Sequence, residues 1–199
     1  MDFPRLYQAM RQTEMNDWVG GADPELAGEI SASILLRHVN VDSNSWVLDF
    51  GAGIGRVAAA VLRQRPQLQF LTGLDIVPRM VDFCQTHFGT QFTNVKFELV
   101  ADENAHYERY KSEARPKSRA DIIASYGGQI DVAYAFSVFT HVDVNDFVDL
   151  LRFVGALLKP GGRLLFTAFA LTPFSRSRID DDKTVIPLPK RKYERTAPY

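Results

Sequence analysis

Val47-Leu48-Asp49-Phe50-Gly51-Ala52-Gly53-Ile54-Gly55-Arg56 passes from an apolar run into a glycine turn and on into a helical pattern, and its reading decides the fold. Trp46 to Phe50 has the length and apolarity of a short buried strand. Val57-Ala58-Ala59-Ala60-Val61-Leu62 opens a helix, so the glycines fall at a strand-to-helix turn. Glycine there permits positive φ and removes the Cβ that would hold a ligand off the backbone. The helix start adds unpaired N–H groups and a positive dipole end, which suits a carboxylate or phosphate and points to a nucleotide-like ligand. The spacing narrows the choice. A dinucleotide fingerprint needs G-x-G-x-x-G or A, whereas Gly51, Gly53 and Gly55 give G-x-G-x-G with Arg56 in sixth place, which disfavours an NAD pyrophosphate.

Further features follow in order. Phe70-Leu71-Thr72-Gly73-Leu74-Asp75-Ile76 reads as a second strand ending in an acid, twenty positions after Gly55, where a carboxylate can accept both hydroxyls of a ribose. Val95 to Asp102 alternates like a third strand and again ends in an acid. A fourth apolar run extends from Ile130 to His141, and a fifth, Leu164-Leu165-Phe166-Thr167, follows the turn Pro160-Gly161-Gly162. Strands alternating with helical stretches predict an α/β fold, a parallel sheet covered by helices on both faces.

With an acid ahead of the first glycine, Asp49 to Gly55 resembles motif I of the class I, Rossmann-like methyltransferases that use S-adenosylmethionine, and Leu157-Leu158-Lys159-Pro160-Gly161-Gly162 resembles the turn before the fifth strand of that family. Trp18-Val19-Gly20-Gly21-Ala22-Asp23-Pro24 and Asp75-Ile76-Val77-Pro78 are similar to a bacterial subgroup of these methyltransferases, a resemblance that names no substrate. The resemblance implies a mostly parallel sheet in the order 3-2-1-4-5. It implies a cofactor site built from Asp49, Gly51, Ala52, Gly53, Gly55 and Arg56, then Asp75 and Ile76, then Asp102 toward the adenine amino group, with Phe136 and Ser137 after the fourth strand. Ala52 stands where many relatives carry Cys, and a small side chain fits either way.

Composition agrees with one domain: 199 residues, 46% hydrophobic, formal net charge −1, enough to bury a substantial core and nothing that marks a polyanion-binding protein. The boundaries expected are an N-terminal helical segment at 1–40 covering the cofactor site, a core at 41–170, and an irregular tail at 171–199. Asp23 and Pro24 predict a helix N-cap and first position, Pro78 opens a helix through His87, and Asp143 or Thr140 caps a helix that runs to Leu158. Residues 104–128 read as a long charged connection with helical pieces. Met1 to Arg5 lacks the layout of a signal peptide and no apolar run approaches a membrane span, so a cytoplasmic protein without a membrane partner is expected. One cysteine and scattered histidines give no metal site, and Cys84 reads as a packing residue.

Several features invite other readings. Tyr107-Glu108-Arg109-Tyr110-Lys111 has the Y-x-x-x-K spacing of short-chain dehydrogenases, but it precedes the fourth strand and accompanies the wrong glycine turn; an exposed helix is favoured, with Tyr107 or Tyr110 able to border the substrate. Lys190-Arg191-Lys192, Arg176 and Arg178 surround Asp180-Asp181-Asp182 and read as a solvated tail, so no nucleic-acid partner is expected. Ala135-Phe136-Ser137-Val138 lacks the Asn/Asp-Pro-Pro-Tyr pattern of enzymes that methylate planar amines, which directs attention to other small-molecule acceptors.

The chemistry implied is in-line attack of an acceptor on a sulfonium methyl, for which the protein chiefly holds the partners in line. A hydroxyl or ammonium acceptor also needs a base. His141, after the fourth strand, is the candidate, with a structural His tying the loop to a helix end as the alternative and weaker claims at His38, His87 and His106. The family sheet continues past the fifth strand through about 50–70 residues, while thirty follow Phe169, with Pro173, Pro187, Pro189 and Pro198 among them. Strands 6 and 7 are therefore expected to be missing and strand 5 to form an apolar edge open to self-association. The alternative to an active enzyme is a cofactor-binding or interaction module without catalysis.

Overall fold

The computed structural model describes residues 2–101 and 116–169. Five strands, β1 (Trp46–Phe50), β2 (Phe70–Asp75), β3 (Val95–Leu99), β4 (Ile130–Ala135) and β5 (Leu158–Phe166), form one sheet in the order β3-β2-β1-β4-β5, every neighbouring pair parallel. This is the expected order, with the crossover between β1 and β4 at the centre. Val47, Leu71, Val132 and Tyr134 enter one core while Leu48, Phe50, Leu74, Ala133 and Ala135 enter another, as alternation on a sheet buried on both faces requires.

Helices α1 (Phe3–Gln12), α2 (Met15–Trp18), α3 (Pro24–His38), α4 (Arg56–Gln64), α5 (Pro78–Gly89), α6 (Arg119–Tyr126) and α7 (Val144–Leu157) fill the connections. Buried residues of α1, α3, α4 and α5 share the first core, and those of α6 and α7 the second. The caps follow the sequence. Asp23 accepts from the Leu26 amide with Pro24 at the start of α3, and Asp143, rather than Thr140, accepts from the amides of Asn145 and Asp146. Ser118 and Asp121 form a reciprocal capping box on α6.

Two expectations are adjusted. Helix α7 ends at Leu157, and β5 begins at Leu158 and takes in Pro160-Gly161-Gly162. Gly161, at φ 81°, makes the break, so the pairing steps from Ile130–Leu158 to Val132–Arg163. Among the described residues β5 is one edge of the sheet and β3 the other; β5 is partly or wholly exposed along its length, and Phe166 is 38% exposed but packs on Phe139 and Phe147. Asp102, His106, Tyr107, Tyr110 and residues 170–199 lie outside the described residues. No described helix is long and apolar enough to cross a membrane.

Candidate functional site

A cavity of about 630 Å³ opens at the C-terminal ends of β1, β2 and β4, at the crossover where open α/β sheets bind ligands, and its size is that of a small-molecule site. Of the expected site residues, Asp49, Gly51, Ala52, Gly53, Arg56, Asp75, Ile76, Phe136, Ser137 and His141 line it. Gly55 does not: at φ 80° it caps α4, and a Cβ there would stand 2.7 Å from the Phe88 ring.

The glycine turn spends its own donors. The N–H groups of Gly51 and Ala52 donate to the Leu74 carbonyl (2.8 and 3.1 Å), that of Gly53 to Asp75 Oδ2 (2.7 Å) and that of Gly55 to the Ala52 carbonyl (2.9 Å). The turn is therefore not the anion cradle that its glycines suggest. Gly51, at φ 77°, is needed because a Cβ would run into Val138 Cγ2.

Two carboxyls take the place of an anion. Asp49 is 3% exposed, on the first-core side of β1 beneath the start of α4, and its Oδ2 has no hydrogen-bond partner. The buried Tyr134 hydroxyl faces it without closing to hydrogen-bond geometry, near enough to favour its charged form. Burial pushes the Asp49 carboxyl up to about 7; the charge of Asp75 adds to this, and Tyr134, the Ala58 amide and Arg56 oppose it. Asp75, partly buried, also accepts from the Val77 amide through Oδ1 (2.9 Å), and burial raises its carboxyl against the pull of its three amide neighbours. A buried acid without a partner beside a second acid makes this floor suited to a ligand that brings a cation and hydroxyl donors.

The N-terminal segment supplies a wall that the sequence reading did not assign residue by residue. Trp18, Val19 and Gly20 line the cavity, with Ala27 and Ser31 of α3. Arg56 Nη2 donates to the Val19 carbonyl (2.6 Å), and the Arg79 guanidinium lies 5.0 Å from the Trp18 ring centroid. The Trp18-Val19-Gly20-Gly21 stretch, an aromatic ahead of two positive-φ glycines, was the available signal. Ser137 is the non-glycine residue at positive φ (60°) among those described; its N–H donates to Thr167 Oγ1 (2.8 Å), which fastens the end of β4 to the residue after β5. His141 is exposed, and its ring makes no hydrogen bond to the described residues. Cys84 is buried, its Sγ 3.4 Å from the Gly53 carbonyl, and packs beneath the turn. Val100, Val138, Val142, Leu150 and Phe153 add an apolar wall from the second core that no local sequence signal announces.

A family model described as methyltransferase domain matches residues 48–164. The chain is 24% identical over 161 residues to the ubiquinone biosynthesis O-methyltransferase of Xanthomonas axonopodis pv. citri, a match that covers 79% of this chain and 58% of that protein. Its Xanthomonas campestris pv. campestris counterpart is 28% identical over 127 residues, covering 64% and 44%. The chain thus spans about half the length of these relatives. The fold resembles that of a SAM-dependent methyltransferase from Leishmania major (TM-score 0.54, 17% identity, 83% of this chain and 60% of that one). It also resembles phosphoethanolamine N-methyltransferase 1 of Haemonchus contortus (TM-score 0.55, 14% identity, 86% and 32%).

Proposed function

Because this chain belongs to the methyltransferase-domain family, we propose that it is an S-adenosylmethionine-dependent methyltransferase acting on a small-molecule acceptor. The observation that carries the reading is the buried, unpartnered Asp49 Oδ2 beside Asp75 under the glycine turn, an acidic floor that fits a cofactor with an ammonium, a sulfonium and a ribose diol. The remaining lone pairs of Asp75 would take the ribose hydroxyls and Asp49 would face the ammonium. Gly51, Ala52, Gly53, Arg56, Ile76, Phe136 and Ser137 would enclose the cofactor, and Asp102 would take the adenine amino group. When bound, the cofactor supplies an activated methyl. The chain's share is to orient the acceptor, keep water out with the wall from residues 1–40, and, for an acceptor that carries a proton, to remove it at His141. Calorimetry should give heats for S-adenosylmethionine and S-adenosylhomocysteine and none for NAD; binding of NAD alone would defeat the assignment.

Two substitutions probe the roles. Asp75→Ala should cost about tenfold to a hundredfold in cofactor affinity through lost charge-assisted hydrogen bonds. Because it also strands the amides of Gly53 and Val77, it should lower stability by about 1–3 kcal/mol. An unchanged dissociation constant in the folded variant would remove Asp75 from the ribose site. His141→Ala should reduce turnover by about 10²–10⁴ if the ring is the base, with cofactor affinity preserved; unaltered turnover with a lower melting temperature would assign His141 to structure.

The exposed β5 edge favours a second reading, a cofactor-binding module that self-associates through Leu158–Phe166. Sedimentation separates the two: a monomer with full transferase activity excludes the module.

A further inference from the structure

Among the described residues two arginines line the cavity, and their charges are met differently. Arg56 donates from Nη2 to the Val19 carbonyl, and its charge faces the Asp49 carboxyl. Arg119, the first residue of α6, is partly buried and lies with its guanidinium carbon 5.8 Å from the Phe153 ring centroid. That ring contact uses none of its N–H donors, and among the described residues those donors meet neither an acceptor nor a carboxylate. The charges beside it in sequence are engaged elsewhere: Lys117 with Glu98 (2.8 Å), Asp121 with Ser118 (2.7 Å). Beside Phe153 the same cavity is lined by the apolar Val138, Val142 and Leu150, with Ser137 and His141 among them and no carboxylate from that stretch. A guanidinium with open donors against apolar surface is stabilised by an oxyanion that takes two of them at once. The floor of the same cavity carries Asp49 and Asp75, which repel an anion and so leave Arg119 as the place where an anionic group settles.

We propose that the methyl acceptor is an organic anion, an apolar body bearing a carboxylate or phosphate, and that Arg119 is the residue that selects it. The inference rests on the methyltransferase reading above. The anionic end of the acceptor is held at Arg119 and its far end is directed toward the cofactor.

The test uses the whole chain saturated with S-adenosylhomocysteine and titrated with benzoate, phenyl phosphate and neutral benzamide. At least one anion is expected to bind more than about tenfold tighter than benzamide, and which one prevails distinguishes carboxylate from phosphate. Arg119→Gln should bring the anions to the level of benzamide, Arg119→Lys should restore part of the preference, and the S-adenosylhomocysteine dissociation constant should stay within about twofold in both. Equal binding of benzamide and the anions, binding of neither anion, or a preference that survives Arg119→Gln, on a chain that does bind S-adenosylhomocysteine, overturns this inference alone. If the unsubstituted chain fails to bind S-adenosylhomocysteine, the methyltransferase reading falls and this inference with it.

Discussion

Gly55→Ala is expected to lower the free energy of unfolding by about 2–5 kcal/mol, a large part of the roughly 5–15 kcal/mol that holds a domain together. Two effects add. Gly55 sits at φ 80°, where an L side chain costs about 1–2 kcal/mol. The new Cβ would also stand 2.7 Å from Cε2 and Cζ of Phe88 and 3.3 Å from Cys84 Sγ. Phe88 cannot swing away, because it is fully buried and its ring packs against Phe92 and Phe97 at centroid distances of 6.0 and 4.9 Å; overpacking of this kind costs about 1–3 kcal/mol. Gly155 in α7 is the control. A Cβ there meets nothing within 4 Å, so Gly155→Ala should gain up to about 1 kcal/mol of helix propensity. Denaturant midpoints of the two variants should move in opposite directions. A Gly55→Ala protein within about 0.5 kcal/mol of the parent would mean that the Phe88 cluster yields.

That contrast also shows where the sequence is readable. The strands are legible because a parallel sheet buried on both faces needs continuous apolar runs, and Val47-Leu48 and Val132 to Ala135 are such runs. The caps at Asp23 and Asp143 are legible because capping is local. The capping box of Ser118 and Asp121 was readable by the same rule, within a stretch that reads as a long charged connection with helical pieces. What Gly51 and Gly53 donate to is not local: the acceptors are Leu74 and Asp75, a strand away, and only the closed β1–β2 pair brings them under the turn. The motif therefore falls at a cavity while misstating its charge, as an anion cradle where the chain has built an acidic floor. The apolar wall escapes for the same reason, since Val100, Val138 and Phe153 come from three separate elements and each alone reads as core.

Asp49→Asn is expected to make the protein more stable at neutral pH and a poorer binder of the cofactor. In the folded chain burial raises the Asp49 carboxyl from 3.8 to about 7, so between these values the native state holds a proton that the unfolded chain has released. Stability from this group is therefore greatest below about pH 4, falls as pH rises toward 7, and is flat above, where the buried carboxylate stays charged at a cost of roughly 4 kcal/mol at most. Asparagine carries no such charge. The variant should gain a few kcal/mol over the parent at pH 8 and nothing at pH 4, with part of the parent's slope surviving through Asp75, whose carboxyl burial also raises. Binding should change in the opposite sense. A ligand cation at Asp49 draws on the ionised form, so parent affinity should drop by up to about tenfold for each pH unit below 7 as that form is depleted, with a proton released on binding. The variant should bind weakly with a nearly flat profile. Melting curves from pH 4 to 8, paired with S-adenosylhomocysteine titrations in buffers of different ionisation enthalpy, measure both halves. If parent and variant share one affinity profile, the cation lies elsewhere in the cavity. If they share one stability profile, water or the Tyr134 hydroxyl already compensates the Asp49 charge in the free protein.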